Sequence, residues 1–290
     1  MMAAKARSSR AVLAIWAVAV GVPAFADPVG FPGAQGTGYP WVEQVTADLV
    51  VPPGDGKRPA LVILHGSGGI DGRGAFHAAE MQRRGFATLE VLMFPPGGRP
   101  REGHHVNLTH AYGALKYLAG RDDIDPGRIA VMGFSFGANL AIRTASAPTR
   151  EAFDDDLGGL RFAVHVAFYP TCWTHARLQT NPRHPQFGTF DRLTGAPVLI
   201  LAGGQDDYGR PDDCARFARM LEDKPGARID LEFYPQATHG WDGQTDRERF
   251  IYDAMAFEGR GGKVRLTPDP EIAERSRRRA ADFLAGVLEP

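Results

Sequence analysis

Five residues constrain this chain more than any others. Gly133-Phe134-Ser135-Phe136-Gly137 lies between a short β-type run at 128–132 and a helical pattern at 138–145. A G-x-S-x-G pentapeptide in that setting is a sharp strand-to-helix turn. Its glycines admit a backbone path that a Cβ would block, and the serine hydroxyl projects above the sheet edge. The alternative is a glycine-rich turn with an incidental serine. With 35 glycines in the chain, the pentapeptide alone is a weak signal, and its strand–turn–helix context gives it weight.

The rest of the chain can supply the sheet that such a turn needs. Runs at 45–51, 60–64, 86–93, 162–168, 198–202 and 229–234 read as further strands. Helical spacing appears at 75–84, 106–118, 211–221 and 271–287. Gly85 suits a helix C-cap and Pro211 a first helical turn. Alternating strands and helices predict an α/β fold with a mostly parallel central sheet and helices on both faces. The uninterrupted apolar run at 60–64 suits a central strand, and 45–51 reads as the edge. The stretches 95–105 and 171–195 are long, polar and rich in Pro and Gly, as functional loops often are. With no repeat and no linker visible, residues 27–290 are expected to form one domain.

Residues 1–26 read as a signal peptide. Lys5, Arg7 and Arg10 form a basic start, 11–20 is apolar, and Ala24-Phe25-Ala26 is a cleavage signature ahead of Asp27. An uncleaved membrane anchor is the alternative. The expectation is a periplasmic or secreted protein with no stable membrane insertion after cleavage. The formal charge of −1 becomes about −4 once three basic residues are removed. Nothing in that overall charge suggests an electrostatic grip on nucleic acid or on an acidic membrane. Cys172 and Cys214 would meet an oxidising compartment and tend to pair; two buried thiols are the alternative.

A serine hydroxyl needs a base to become a nucleophile. His165, His175, His184 and His239 follow Ser135. His165 lies inside a strand pattern, and His175 and His184 lie in the 171–195 stretch. His239 follows the strand at 229–234 and can reach back to the turn, so it is the expected base. The acid should follow the strand at 198–202, where Asp206 and Asp207 compete; Asp206 is favoured. Oxyanion donors are expected from the N–H of Phe136 and from the loop His65-Gly66-Ser67-Gly68-Gly69, with Ser67 ahead of Gly68 and His65 structural.

Taken together, Leu64-His65-Gly66-Ser67-Gly68-Gly69, the segment from Arg128 through Gly137, Ala202-Gly203-Gly204-Gln205-Asp206-Asp207 and His239-Gly240 resemble the dienelactone hydrolase family of α/β-hydrolases. The resemblance spans about residues 45–290. It implies an α/β-hydrolase fold without a large separate lid, and hydrolysis of esters or lactones through Ser135, His239 and Asp206. Founding members carry cysteine at the elbow. Ser135 therefore points away from dienelactone itself and towards ordinary carboxylic esters. Cys172 and Cys214 resemble the cysteine pair of exported members, and their link would tie 171–195 to the acid's loop.

Several weaker readings complete the picture. Arg99, Arg101, Arg177 or Arg183 could bind a substrate carboxylate, although such side chains usually stay solvated. With Trp173, Phe187 and Phe190 they suggest a pocket with an apolar floor and a cationic rim for a small ester or lactone. His104, His105 and His110 complete no metal motif, and no cofactor or metal is expected. The rival functions are a serine peptidase of the prolyl-oligopeptidase type, for whose propeller the chain has no room, and a non-catalytic exported binding protein on a hydrolase scaffold.

Overall fold

The computed structural model describes residues 26–94, 104–180 and 189–289. The basic and apolar parts of the expected signal peptide, and Arg99, Arg101, Arg183, His184 and Phe187, lie outside the described residues.

Eight strands build the main sheet: β1 (Asp27–Phe31), β2 (Val45–Val50), β3 (Arg58–Leu64), β4 (Ala87–Leu92), β5 (Ile124–Phe134), β6 (Val164–Phe168), β7 (Val198–Gly203) and β8 (Ile229–Tyr234). Their spatial order is β1-β2-β4-β3-β5-β6-β7-β8. β1 and β2 are antiparallel to their neighbours, and every pair from β4 to β8 is parallel. The expected α/β architecture is therefore the observed one.

β3 shows how its sequence makes it central. Successive side chains of a strand point to opposite faces, and those from Ala60 to Leu64 are all apolar. Ala60, Val62 and Leu64 join Leu108 and Leu115 of helix α2 (His104–Ala119). Leu61 and Ile63 face the other way, with Met81 of α1 (Arg73–Arg83) and Leu284 of α9 (Pro270–Leu288). All five side chains from Ala60 to Leu64 are fully buried. Burying a Val, Leu or Ile in this way stabilises by about 1.5–3 kcal/mol. α9 starts cleanly because Asp269 caps it, accepting from Ile272 N at 2.9 Å, and Pro270 occupies the first turn.

Three features differ from the sequence expectation. The sheet's edge is β1, not the run at 45–51. Asp27–Phe31 pairs outside β2 although Pro28 and Gly30 weaken its strand signal, and Phe31 is buried with its ring stacked on Tyr117. Pro211 precedes helix α7 (Asp213–Glu222) instead of opening it. The stretch at 171–195 begins with a helix, α6 (Cys172–Thr180). A disulfide joins Cys172 to Cys214, with a Cα–Cα distance of 5.0 Å, fastening α6 to the first turn of α7.

The remaining elements follow the elbow or lie near the cleft. α3 (Phe136–Thr144) leaves β5 at the elbow and is followed by short helices α4 (Ala147–Glu151) and α5 (Asp154–Leu157). A two-stranded antiparallel ribbon, β9 (Arg249–Asp253) and β10 (Gly262–Leu266), was not expected from sequence. Its tip carries the short turn α8 (Ala256–Gly259), where Phe257 and Glu258 take left-handed conformations, with φ of 52° and 60°. No helix among the described residues is long and apolar enough to cross a membrane.

Candidate active site

Ser135 sits between β5 and α3 with φ 51° and ψ −107°, a backbone conformation that L residues rarely adopt. Close backbone approach holds it there. A Cβ on Gly133 would collide with the backbone of Gly137, and one on Gly137 would collide with the carbonyls of Leu64 and His65. Ser135 N donates to Phe168 O at 3.0 Å, locking the turn to the end of β6. The helix begins at once, with Asn139 N donating to Ser135 O at 3.0 Å. Ser135 is half-buried, so its hydroxyl remains reachable.

His239 follows β8, and its Nε2 lies 2.8 Å from Ser135 Oγ. Its Nδ1 lies 2.8 Å from Asp206 Oδ2. The other Asp206 oxygen accepts from Tyr208 N at 2.9 Å. The two loops are stitched together: Gly204 N donates to Tyr234 O and Gln205 N to Ala237 O, each at 2.9 Å. Only glycine permits this nesting at 203, where a Cβ would come within 2.6 Å of Ala237 O. Tyr208 packs its ring 4.4 Å from that of His239. Asp207 turns away and accepts from Arg265 N at 2.8 Å, anchoring β10.

The loop after β3 completes the surroundings. His65 is buried; its Nε2 accepts from Met93 N at 3.0 Å, so its Nδ1–H donates to Gly66 O at 2.7 Å. Burial pushes its pKa down, which suits a neutral ring in that role. Ser67 and Gly68 line a cleft of about 190 Å³ together with Ser135 and His239. The N–H of Phe136 belongs to the first turn of α3, where the helix dipole favours negative charge.

Sequence reasoning missed a buried polar network beneath this cleft. Arg73 donates to Asp71 at 2.6 Å and to the Tyr169 hydroxyl at 3.1 Å. That hydroxyl donates to Asp242 Oδ1 at 2.6 Å, and His77 Nε2 lies 2.9 Å from Asp242 Oδ2. Burial works against the Arg73 charge, yet Tyr169, Asp242 and Asp71 outweigh it and raise its pKa. The signals were an Asp71-Gly72-Arg73 turn just after the glycine loop and an acid three residues beyond His239.

Among the described residues the cleft lining includes Arg73, Arg249, Asp71 and Asp253 together with Ile251 and Leu266. Arg99, Arg101 and Arg183 of the expected cationic rim lie outside the described residues. Trp173 is buried outside the cleft-lining residues, with the Arg177 guanidinium 4.5 Å over its ring. Phe190 belongs to the core around α7. His165 and His175 are fully buried, on Ala141 O and Asn139 Oδ1. His110 lies beside Val106 O. Among the described residues no group of His, Cys, Asp and Glu is arranged to hold a metal.

A mostly parallel sheet with a strained serine at the strand–helix elbow after β5, beside aspartate and histidine from the loops after β7 and β8, defines the α/β-hydrolase class. Residues 45–284 match the Dienelactone hydrolase family, and the chain belongs to it. Among solved structures, Thermogutta terrifontis esterase 2 with propionate bound aligns with a TM-score of 0.63 at 18% identity, over 89% of this chain and 97% of that one. MGS-M1, an alpha/beta hydrolase enzyme from a Medee basin deep-sea metagenome library, aligns at 0.59 and 18%, over 92% and 99%. At such identities the likeness concerns the fold. An uncharacterized Mycobacterium tuberculosis protein is 31% identical over 157 residues, 52% of this chain and 54% of that protein. Mouse peroxisomal succinyl-coenzyme A thioesterase is 28% identical over 103 residues, 36% of this chain and 24% of that enzyme. The chain thus spans about half the length of the first of these relatives and a quarter of the second.

Proposed function

We propose that this chain hydrolyses carboxylic esters through an acyl-enzyme on Ser135. The observation that carries the reading is the continuous hydrogen-bonded line from Ser135 Oγ through His239 to Asp206, with both contacts at 2.8 Å. His239 Nε2 takes the hydroxyl proton as Oγ attacks the ester carbonyl. The imidazolium that forms is stabilised and held in orientation by Asp206. The N–H groups of Phe136 and Ser67 receive the oxyanion. His239 then passes its proton to the departing alkoxide, and the alcohol leaves. Water, activated by the same imidazole, attacks the acyl-enzyme and releases the acid and Ser135.

The small cleft and its paired Arg and Asp side chains favour a compact, polar ester over a long acyl chain. Serine at the elbow, where founding family members have cysteine, keeps the reading with ordinary esters or lactones. The disulfide agrees with export of a single domain at 27–290 after removal of residues 1–26.

The test is a screen of 4-nitrophenyl esters from acetate to octanoate, with a thioester and a peptide amide as further arms. Short esters should be turned over fastest, and Ser135→Ala should reduce kcat by about 10³-fold or more. Cleavage of the amide alone would favour the peptidase, and no turnover of any arm would favour the binding protein.

A further inference from the structure

Seven large apolar side chains stand exposed among the described residues, and three of them, Phe250, Tyr252 and Met255, fall within six residues of the β9–β10 ribbon. Phe250 is 58% exposed and Tyr252 71%. Period-two alternation explains the pattern. Arg249, Ile251 and Asp253 turn towards the cleft, which leaves Phe250 and Tyr252 on the outer face. Directly opposite them on β10 stand Arg265 and Lys263. The outer face therefore carries two exposed aromatics with a basic residue opposite each in register, the Arg265 guanidinium also donating to Gln205 Oε1 at 2.7 Å, and Met255 lies beyond them near the tip.

The acidic groups of the ribbon are committed elsewhere. Asp253 accepts from the Tyr208 hydroxyl at 2.8 Å. Glu258 is nearly buried between Arg210 and Arg260, and Glu248 accepts from the Thr267 hydroxyl. Asp246, ahead of β9, is paired with Arg247. The ribbon is also fixed, because Asp207 holds Arg265 N and Asp253 holds Tyr208.

We propose that this face docks onto an anionic lipid surface. Aromatic rings settle at the headgroup layer while the aliphatic stems of Lys and Arg lie along apolar surface and their charges reach phosphate. A stable protein–protein interface takes roughly 20–30 residues a side, far more than this patch provides. The docking does not rest on the esterase reading.

The experiment is co-sedimentation of the full chain with phosphatidylglycerol/phosphatidylcholine vesicles and with phosphatidylcholine vesicles. Binding should be at least tenfold stronger to the anionic vesicles. Phe250→Ser/Tyr252→Ser should weaken it at least tenfold, and Lys263→Glu by about tenfold. Both variants should hydrolyse soluble 4-nitrophenyl acetate like the wild type and keep its thermal midpoint. If the wild type hydrolyses no ester, the esterase reading fails while sedimentation still decides the docking. The proposal is overturned by absent or charge-independent vesicle binding, or by undiminished binding of both variants. It is also overturned by a lipid-free dimer that the double serine variant converts to monomer, since a second copy would then be the occupant.

Discussion

The Tyr169 hydroxyl donates to Asp242 over 2.6 Å while the edge of its ring meets His239 at a centroid distance of 4.9 Å. Tyr169 holds this position with φ 43°, in the left-handed region that side chains other than Gly and Asn avoid. Asp242 is fully buried and also serves His77. Asp242→Ala should therefore cost about 3–5 kcal/mol, because it strands buried polar partners. Urea unfolding at pH 7 measures it. Burial raises the Asp242 pKa, but His77, Arg73 and the Tyr169 hydroxyl outweigh that and hold it below the usual carboxylate range. The folded state then binds this proton less readily than the unfolded chain. The contribution is complete above about pH 4 and is lost as pH falls through the lowered value. The gap between wild type and Asp242→Ala should narrow below pH 4.

The two adjacent carboxylates should separate cleanly. In the proposed mechanism Asp206 fixes the His239 tautomer, so Asp206→Asn should lower kcat by about 10⁴-fold. Asp207 bonds the Arg265 N–H instead, and Asp207→Asn should change kcat by less than about tenfold. Steady-state kinetics of both variants with one ester decides it, and the reverse order would move the acid by one residue.

His165 predicts an acid-sensitive fold. Complete burial pushes its pKa down to about 3, only partly offset by its bond to Ala141 O. The folded protein keeps the ring neutral while the unfolded chain protonates it near pH 6.5. Stability is therefore full above that value and falls as pH drops towards 3. The loss between pH 7 and pH 5 is about 2 kcal/mol from this residue alone. His165→Leu should flatten the urea-derived stability profile across that range; an unchanged slope would contradict the account.

The Cys172–Cys214 bond closes a separation of 42 residues. By the chain-entropy argument, Cys172→Ser/Cys214→Ser should lose about 2–4 kcal/mol. Comparison of unfolding midpoints with and without reductant checks this, since reductant should lower the wild type towards the variant and leave the variant unmoved.

These residues also show what a sequence can disclose. β3 and its neighbours were legible because unbroken apolar runs and helical spacing mark a sheet covered on both faces. Chain order grouped Ser135, Asp206 and His239, and the fold brings the three within hydrogen-bond range. β1 escaped because Pro28 and Gly30 break its pattern. The β9–β10 ribbon escaped because its outer face carries exposed aromatics opposite cations, so its alternation is not apolar-in and polar-out. The alternation in Gly262-Lys263-Val264-Arg265-Leu266 was the available clue. The Arg73–Tyr169–Asp242 cluster escaped because its members are 73 and 96 residues apart or more, and only β6 and the turn after His239 bring them together. Trp173 lies on α6 with its ring against Gly209 and Gly259, a placement that the Pro- and Gly-rich look of 171–195 does not reveal.

The most direct test of the central claim is peptide mass spectrometry after reaction with a fluorophosphonate. The account predicts one adduct, on the peptide containing Ser135, forming in step with loss of esterase activity. The adduct should be absent in Ser135→Ala and strongly slowed in His239→Ala. Labelling of a different residue, or full esterase activity in Ser135→Ala, would contradict it.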